Sequence, residues 1–159
     1  MEYLDVVNEE NEVIDQRPRN EVHEKGLPHR TVMFLVRSED GKILVTKRSY
    51  NKEFFPGYWS IVLGGHVQSG SSYEEALKKE MKEEIGVVGE YKKILFFVKD
   101  IPEETEYVNL YETVVDPADI NLIDEEFEKG EFWEKSKIME ELEKRDFLPE
   151  TYHIIDHLD

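Results

Sequence analysis

The apolar residues of the chain fall into short extended runs around one long helical stripe. Residues 3–7 and 12–15 are predicted as two short strands around the polar turn Asn8-Glu9-Glu10-Asn11, a small N-terminal hairpin. Residues 17–28 are polar and carry Pro18, Gly26 and Pro28, so the reading here is a loop that places His23 and His29 near the next strand. The β-branched and aromatic run 31–37, the turn Asp40-Gly41 and the returning run 43–48 predict a second hairpin. Beyond a loop holding Pro56-Gly57, residues 58–63 read as a third strand that runs into Gly64-Gly65.

A change of period marks the main helix. Leu77, Met81 and Ile85 form one apolar stripe at about 100° per residue. Ser71 or Ser72 can cap its start, with Glu74 or Glu75 three residues on as a capping box requires, and Gly86 suits its end. Strands at 90–99, 106–116 and 132–133 and helices at 137–144 and 150–158 complete the prediction. Strands on both sides of a central helix indicate a layered mixed α/β fold. A length of 159 residues suits a single domain over 1–159.

Composition narrows the chemistry. The chain has no Cys, which excludes a disulfide framework, a thiol nucleophile and a Cys-ligated metal. No stretch approaches the roughly 20 apolar residues of a membrane span, and the first residues lack the pattern of a signal peptide, so no membrane partner and a cytoplasmic location are expected. With 37 Asp and Glu against 20 Lys and Arg the net charge is −17, which disfavours nucleic acid as a stable partner.

Three of those acids stand out. Glu80, Glu83 and Glu84 sit at i, i+3 and i+4 on the predicted helix, so their carboxylates share a stripe beside the apolar one. Like charges at that spacing destabilise a bare helix unless a cation sits among them. Hard ions such as Mg²⁺ or Mn²⁺ take carboxylate oxygens and leave positions open for phosphate oxygens, which supports attack on a diphosphate. A Glu-rich solvated face interleaved with Lys78, Lys79 and Lys82 is the plainer alternative.

Residues 65–87 decide between them, because they resemble the signature of the Nudix hydrolase family, G-x5-E-x7-R-E-U-x-E-E-x-G-U with U apolar. Gly65, Glu80, Met81, Glu83, Glu84, Gly86 and Val87 match; Ser71 stands for the first Glu and Lys79 for the Arg. The resemblance implies a Nudix-type α/β/α sandwich with a mixed sheet, Mg²⁺ or Mn²⁺ on Glu80, Glu83 and Glu84, and a diphosphate site shaped by Gly64-Gly65. In the family the first Glu and the Arg can form a bracing ion pair; both are replaced here, and Ser71 is free to cap the helix.

The upstream residues, including Leu4-Asp5-Val6-Val7, His23, His29-Arg30, Arg48-Ser49, Pro56-Gly57-Tyr58-Trp59 and Gly65-His66, look like the branch related to isopentenyl-diphosphate isomerase. In those isomerases the residue before Gly-His is a catalytic Cys, where Gly64 stands here. They also use two Glu bracketing an Asn on a later strand; around Val108-Asn109-Leu110 the corresponding residues are apolar. Isomerisation is therefore not expected. By the same resemblance His29 and His66, and loosely His23, match metal ligands, although contact with substrate phosphate is the preferred role of His66 and His29. His153 and His157 are expected on an exposed helix face.

The general base is sought among Glu83, Glu84, Glu125 and Glu126, the last two in the acidic loop 124–128. Arg48, with Lys47 and Lys52, is expected either to receive substrate phosphates or to pair with a carboxylate of the signature helix. Tyr50, Phe54, Phe55 and Tyr58 could stack on a base, and Trp59 is expected in the core. The reading is a Mg²⁺- or Mn²⁺-dependent Nudix pyrophosphohydrolase acting on a small-molecule diphosphate, with room for a homodimer. An isomerase-like enzyme and a non-catalytic diphosphate-binding protein are the alternatives.

Overall fold

The computed structural model describes residues 1–122 and 125–159. Its elements run β1 (Tyr3–Val7), β2 (Val13–Pro18), α1 (Arg19–Lys25), β3 (His29–Arg37), β4 (Ile43–Arg48), β5 (Trp59–Ser60), β6 (Leu63–His66), α2 (Tyr73–Ile85), β7 (Tyr91–Ile101), β8 (Glu104–Val114), β9 (Phe127–Trp133), α3 (Lys135–Glu141) and α4 (Glu150–Ile154). Single-turn 3₁₀ helices follow β8 at Pro117–Asp119 and α4 at Ile155–His157.

Strand β3 is the centre of a mixed sheet. It pairs antiparallel with β1 and β6 and parallel, over its whole length, with β8, which carries β7 on its far side. One face of β3 (Val32, Phe34, Val36) packs on Leu77, Met81 and Ile85 of α2, all three fully buried as their spacing predicts. The other face (Met33, Leu35) packs with Val108, Leu110, Trp59 and Trp133 against Ile138 of α3 and Ile154 of α4. This is the α/β layering expected, with the N-terminal β-hairpin of β1 and β2 appended.

Four local readings are corrected. Residues 17–28 are not a loop: β2 continues to Pro18 and α1 follows. Pro18 and Gly26 flank α1, Gly26 ending it at φ 62, and Glu21 bonds to Lys25 one turn on. Val22 is its one buried residue, packed on Leu4, Val6 and Leu27. The turn at Asp40-Gly41 forms, yet β3 and β4 share only the pair Arg37–Ile43, because β4 turns away to pair with β5 and β9. The run 58–63 breaks into β5 and β6 at a corner held by the Ser60 hydroxyl, which donates to Val62 O and accepts from Val62 N–H. Strand β9 is seven residues long, where only residues 132–133 were expected to be extended.

Helix α2 starts where the capping box places it. Ser72 Oγ accepts from Glu75 N–H at 3.1 Å, and Glu75 accepts from Ser72 N–H in return. Ser72 is thus the cap, and Ser71 is not; its N–H donates to Gln68 O in the preceding turn.

Candidate active site and an adjacent imidazole cluster

Helix α2 and strand β6 meet along one wall of a cavity. The backbone of Gly65 lies so close to Glu80 that a β-carbon there would overlap its carboxylate. Glu80, Glu83, Glu84 and Glu126 line this cavity together with Gly64, Gly65 and His66. Cations stand at the same place on an otherwise acidic molecule: Arg19, Lys52 and Lys79. Of the acidic segment 124–128, Asp124 lies outside the described residues, Glu125 is exposed, and Glu126 is held in the cavity by an ion pair with Lys52.

Glu84 is the α2 carboxylate with an unsatisfied oxygen: its Oε2 is buried without a hydrogen-bond partner. Burial, with the neighbouring Glu80 and Glu126 carboxylates, pushes Glu84 well above the usual carboxylate range. Burial and Glu83 raise Glu80 in the same direction. An all-oxygen set with a buried, unpartnered acceptor suits a hard divalent cation.

Arg48 faces an adjoining cavity that also reaches Glu84, Glu126 and His66. Its Nη2 donates to Phe54 O, and its Nε is buried without a partner, so it makes no pair with an α2 carboxylate. Phe54 and Phe55 line this cavity, whereas Tyr50 is exposed and Trp59 is core. Phe55 adopts φ 52, a left-handed conformation that non-glycine residues seldom take.

Three histidines converge beside these acids. His23 comes from α1, His29 from β3 and His66 from β6, and one ring nitrogen of each lies within 4.8 Å of the others. Among the described residues no other three His, Asp or Glu bring ligand atoms this close. His29 is fully buried and does not line the cavity, while His23 and His66 do. The His29 Nδ1 sits 2.9 Å from Leu27 O, which assigns its proton to Nδ1 and leaves Nε2 as a buried acceptor with no partner.

Strand β8 supplies the acids that residues 108–110 lack. They lie earlier, at Glu104 and Glu106, and both line the cavity. Glu106 Oε2 accepts from Thr31 Oγ1 and lies 3.8 Å from Nε2 of both His29 and His66. Burial, foremost, depresses all three imidazoles, His66 well below its ordinary value, so these contacts join neutral rings to a carboxylate and are not ion pairs. Burial also raises Glu104 and Glu106. A set of three imidazoles and two carboxylates matches a transition ion. By contrast His153 and His157 are exposed, with ring centroids 5.7 Å apart.

Comparison with known proteins settles the family. Residues 27–156 match the family model described as NUDIX domain. The chain belongs to the Nudix family. It is 40% identical over 89 residues to an uncharacterized Nudix hydrolase of Yersinia pestis, covering 56% of this chain and 49% of that protein. Similarity to the uncharacterized Nudix hydrolase YfcD of Escherichia coli is 41% over 88 residues, covering 55% and 49%. The chain thus spans about half the length of these relatives. An uncharacterized Nudix hydrolase of Pseudomonas aeruginosa is 29% identical over 149 residues, covering 91% of this chain and 86% of its own. Among solved structures, DR0079 from Deinococcus radiodurans superposes with TM-score 0.84 at 24% identity over 99% of both chains. The Nudix domain of Shewanella oneidensis NrtR, solved with ADP ribose, gives TM-score 0.63 at 14% identity over 80% of this chain and 83% of its own. These likenesses establish the Nudix fold. No helix among the described residues is long and apolar enough to cross a membrane.

Proposed function

We propose that this chain is a divalent-metal-dependent hydrolase of a small-molecule diphosphate, working at the α2 carboxylates. The buried, unpartnered Glu84 oxygen beside Glu80, in a cavity that gathers Arg48 and Lys52, carries the reading. Mg²⁺ or Mn²⁺ on Glu80, Glu83 and Glu84 would neutralise charge developing on the phosphate oxygens. Arg48, through its free Nε, and His66 grip the substrate phosphates beside the Gly64-Gly65 backbone. Water attacks one phosphorus, the bridging P–O bond breaks, and the water proton passes to a carboxylate, with Glu83, Glu84 and Glu126 as the candidates. Phe54 and Phe55 form the wall for the group attached to the diphosphate.

The test is a hydrolysis screen over nucleotide sugars, dinucleoside polyphosphates, oxidised dNTPs, ADP-ribose, CoA and NADH with Mg²⁺, run beside Glu83→Gln. Turnover lost in a folded variant is expected. Turnover unchanged in Glu83→Gln would refute the assignment, and diphosphate binding without turnover across the screen would favour a non-catalytic binder.

The imidazole cluster favours a second ion. The orphan His29 Nε2, aimed at the same space as His66 and Glu106, supports a transition ion such as Mn²⁺, Zn²⁺ or Co²⁺ at His23, His29, His66, Glu104 and Glu106. Isomerisation of isopentenyl diphosphate is not supported by this set alone: a β-carbon at Gly64 would overlap the Val32 carbonyl, so the backbone here leaves no room for the Cys that the isomerases carry. Turnover of isopentenyl diphosphate by the purified protein would reverse that conclusion.

A further inference from the structure

Beside the imidazole cluster, on the cavity that His23 and His66 also line, lies a buried ammonium that none of this chemistry uses. Lys99, on β7, is 8% exposed at its side chain. Its Nζ lies 3.1 Å from Glu150 Oε2, 3.6 Å from Glu106 Oε1 and 3.9 Å from Glu104 Oε1. Glu150 is itself buried, at the first position of α4, and Lys99 is the cation paired with it. Glu106 is therefore shared between two claimants: Oε1 faces the ammonium, and Oε2 faces His29 and His66.

Charge accounting makes that sharing consequential. When ionised, the buried Glu106 and Glu150 and the partly buried Glu104 outnumber the Lys99 ammonium by two charges, beside three neutral rings. Lys99 and a divalent cation at those rings draw on the same two β8 carboxylates, so each weakens the other's hold on them. Glu150 is the nearest partner of Lys99 and comes from α4, not from β8, whose Glu106 meets the imidazoles. A buried ammonium with its charge fully engaged is unsuited to nucleophilic work, which leaves it an electrostatic role.

We propose that Lys99 is a built-in competitor for the Glu104 and Glu106 carboxylates, that Glu150 holds it off, and that this pair sets how tightly the imidazole-carboxylate set takes a divalent transition ion. The inference rests on the second-ion reading above. Lys99 and Glu150 are positioning residues in it, since neither ligates the ion. The consequence is an ion site of tempered affinity, able to release its ion where the same set with two bare carboxylates would retain it. It also ties the C-terminal helix α4 to the site through one side chain.

The two residues act in opposite directions, which separates this role from mere support of the fold. Co²⁺ binding by the purified full chain, followed by visible absorption, and Mn²⁺ binding by calorimetry, both at pH 8, would be compared in the wild type, Lys99→Met, Glu150→Gln and His29→Ala. Lys99→Met should bind about tenfold or more tightly, because a unit positive charge near the ion is removed from a poorly screened site. Glu150→Gln should bind about tenfold or more weakly, because the released ammonium turns to Glu104 and Glu106. Thermal melts check folding, and Lys99→Gln replaces Lys99→Met if the latter does not fold. Weakening in both variants, or no change in either, overturns the proposal. A wild-type Co²⁺ spectrum that is absent, or that His29→Ala leaves intact, overturns the second-ion reading on which it stands.

Discussion

His29 and His66 point their Nε2 atoms at the same oxygen of Glu106, each at 3.8 Å, from two strands that pair with each other. The gap is too long for a hydrogen bond and of the size an ion closes by drawing its ligands in. At a hundredfold excess over its dissociation constant, a transition ion bound there should stabilise the fold by ~2.7 kcal/mol. Urea denaturation with and without Mn²⁺ measures the gain. His29→Ala should abolish it, and so should acidification through the depressed imidazole values, since protonation removes the lone pairs.

Glu84 gives the metal-free protein a pH dependence of the opposite kind to a paired surface acid. Its carboxyl titrates higher in the folded state than in the unfolded chain, so the fold retains a proton that the unfolded state releases. Stability therefore falls as pH rises from the ordinary carboxylate value toward the raised one. Denaturation midpoints in EDTA across that window should decline in the wild type and decline less in Glu84→Gln, and Mg²⁺ should restore the wild type at the upper end.

The two adjacent serines before α2 separate cleanly. Ser72→Ala removes the hydroxyl that caps Glu75 N–H and should cost ~1 kcal/mol by chemical denaturation. Ser71→Ala leaves the cap in place and should change stability by less than ~0.5 kcal/mol.

Gly64 is needed for space and not for an unusual backbone angle. Its missing side chain lets β6 lie against the Val32 carbonyl of β3, and the obstacle is main chain, which cannot rotate away. Gly64→Ala should destabilise by ~1–3 kcal/mol in urea titration. A neutral result would reopen the position to larger residues.

Helix α2 was legible because every signal for it is local: a capping box, a 3.6-residue stripe and a terminal glycine, all within 15 residues. Helix α1 was not, because seven residues with one buried side chain carry almost no period, and Pro18 and Gly26 read as loop punctuation when they in fact bracket the helix. The short pairing of β3 with β4 has a related cause. Its turn is encoded nearby, but the strands that pair along the rest of β3, β6 and β8, lie farther along the chain and leave no mark at the turn. Glu80, Glu83 and Glu84 stood out by spacing, and the resemblance of residues 65–87 to the Nudix signature gave them a role. Glu104, Glu106, Lys99 and Glu150 were missed because each is an ordinary charged residue in an acidic chain, and only burial gives it meaning. The nearest available signal was the alternation Glu104-Thr105-Glu106, which puts two acids on one face of a strand.

The parallel register of β3 on β8 sets His29 opposite Glu106, and the antiparallel register of β3 on β6 sets Thr31 opposite His66. A slip of one residue in either ladder would turn Glu106 or His66 to the other side of the sheet. The His29–His66–Glu106 arrangement thus exists in a single alignment of three strands. An ion held there would bind the native sheet and not its misaligned competitors, and so would add to the specificity of strand pairing.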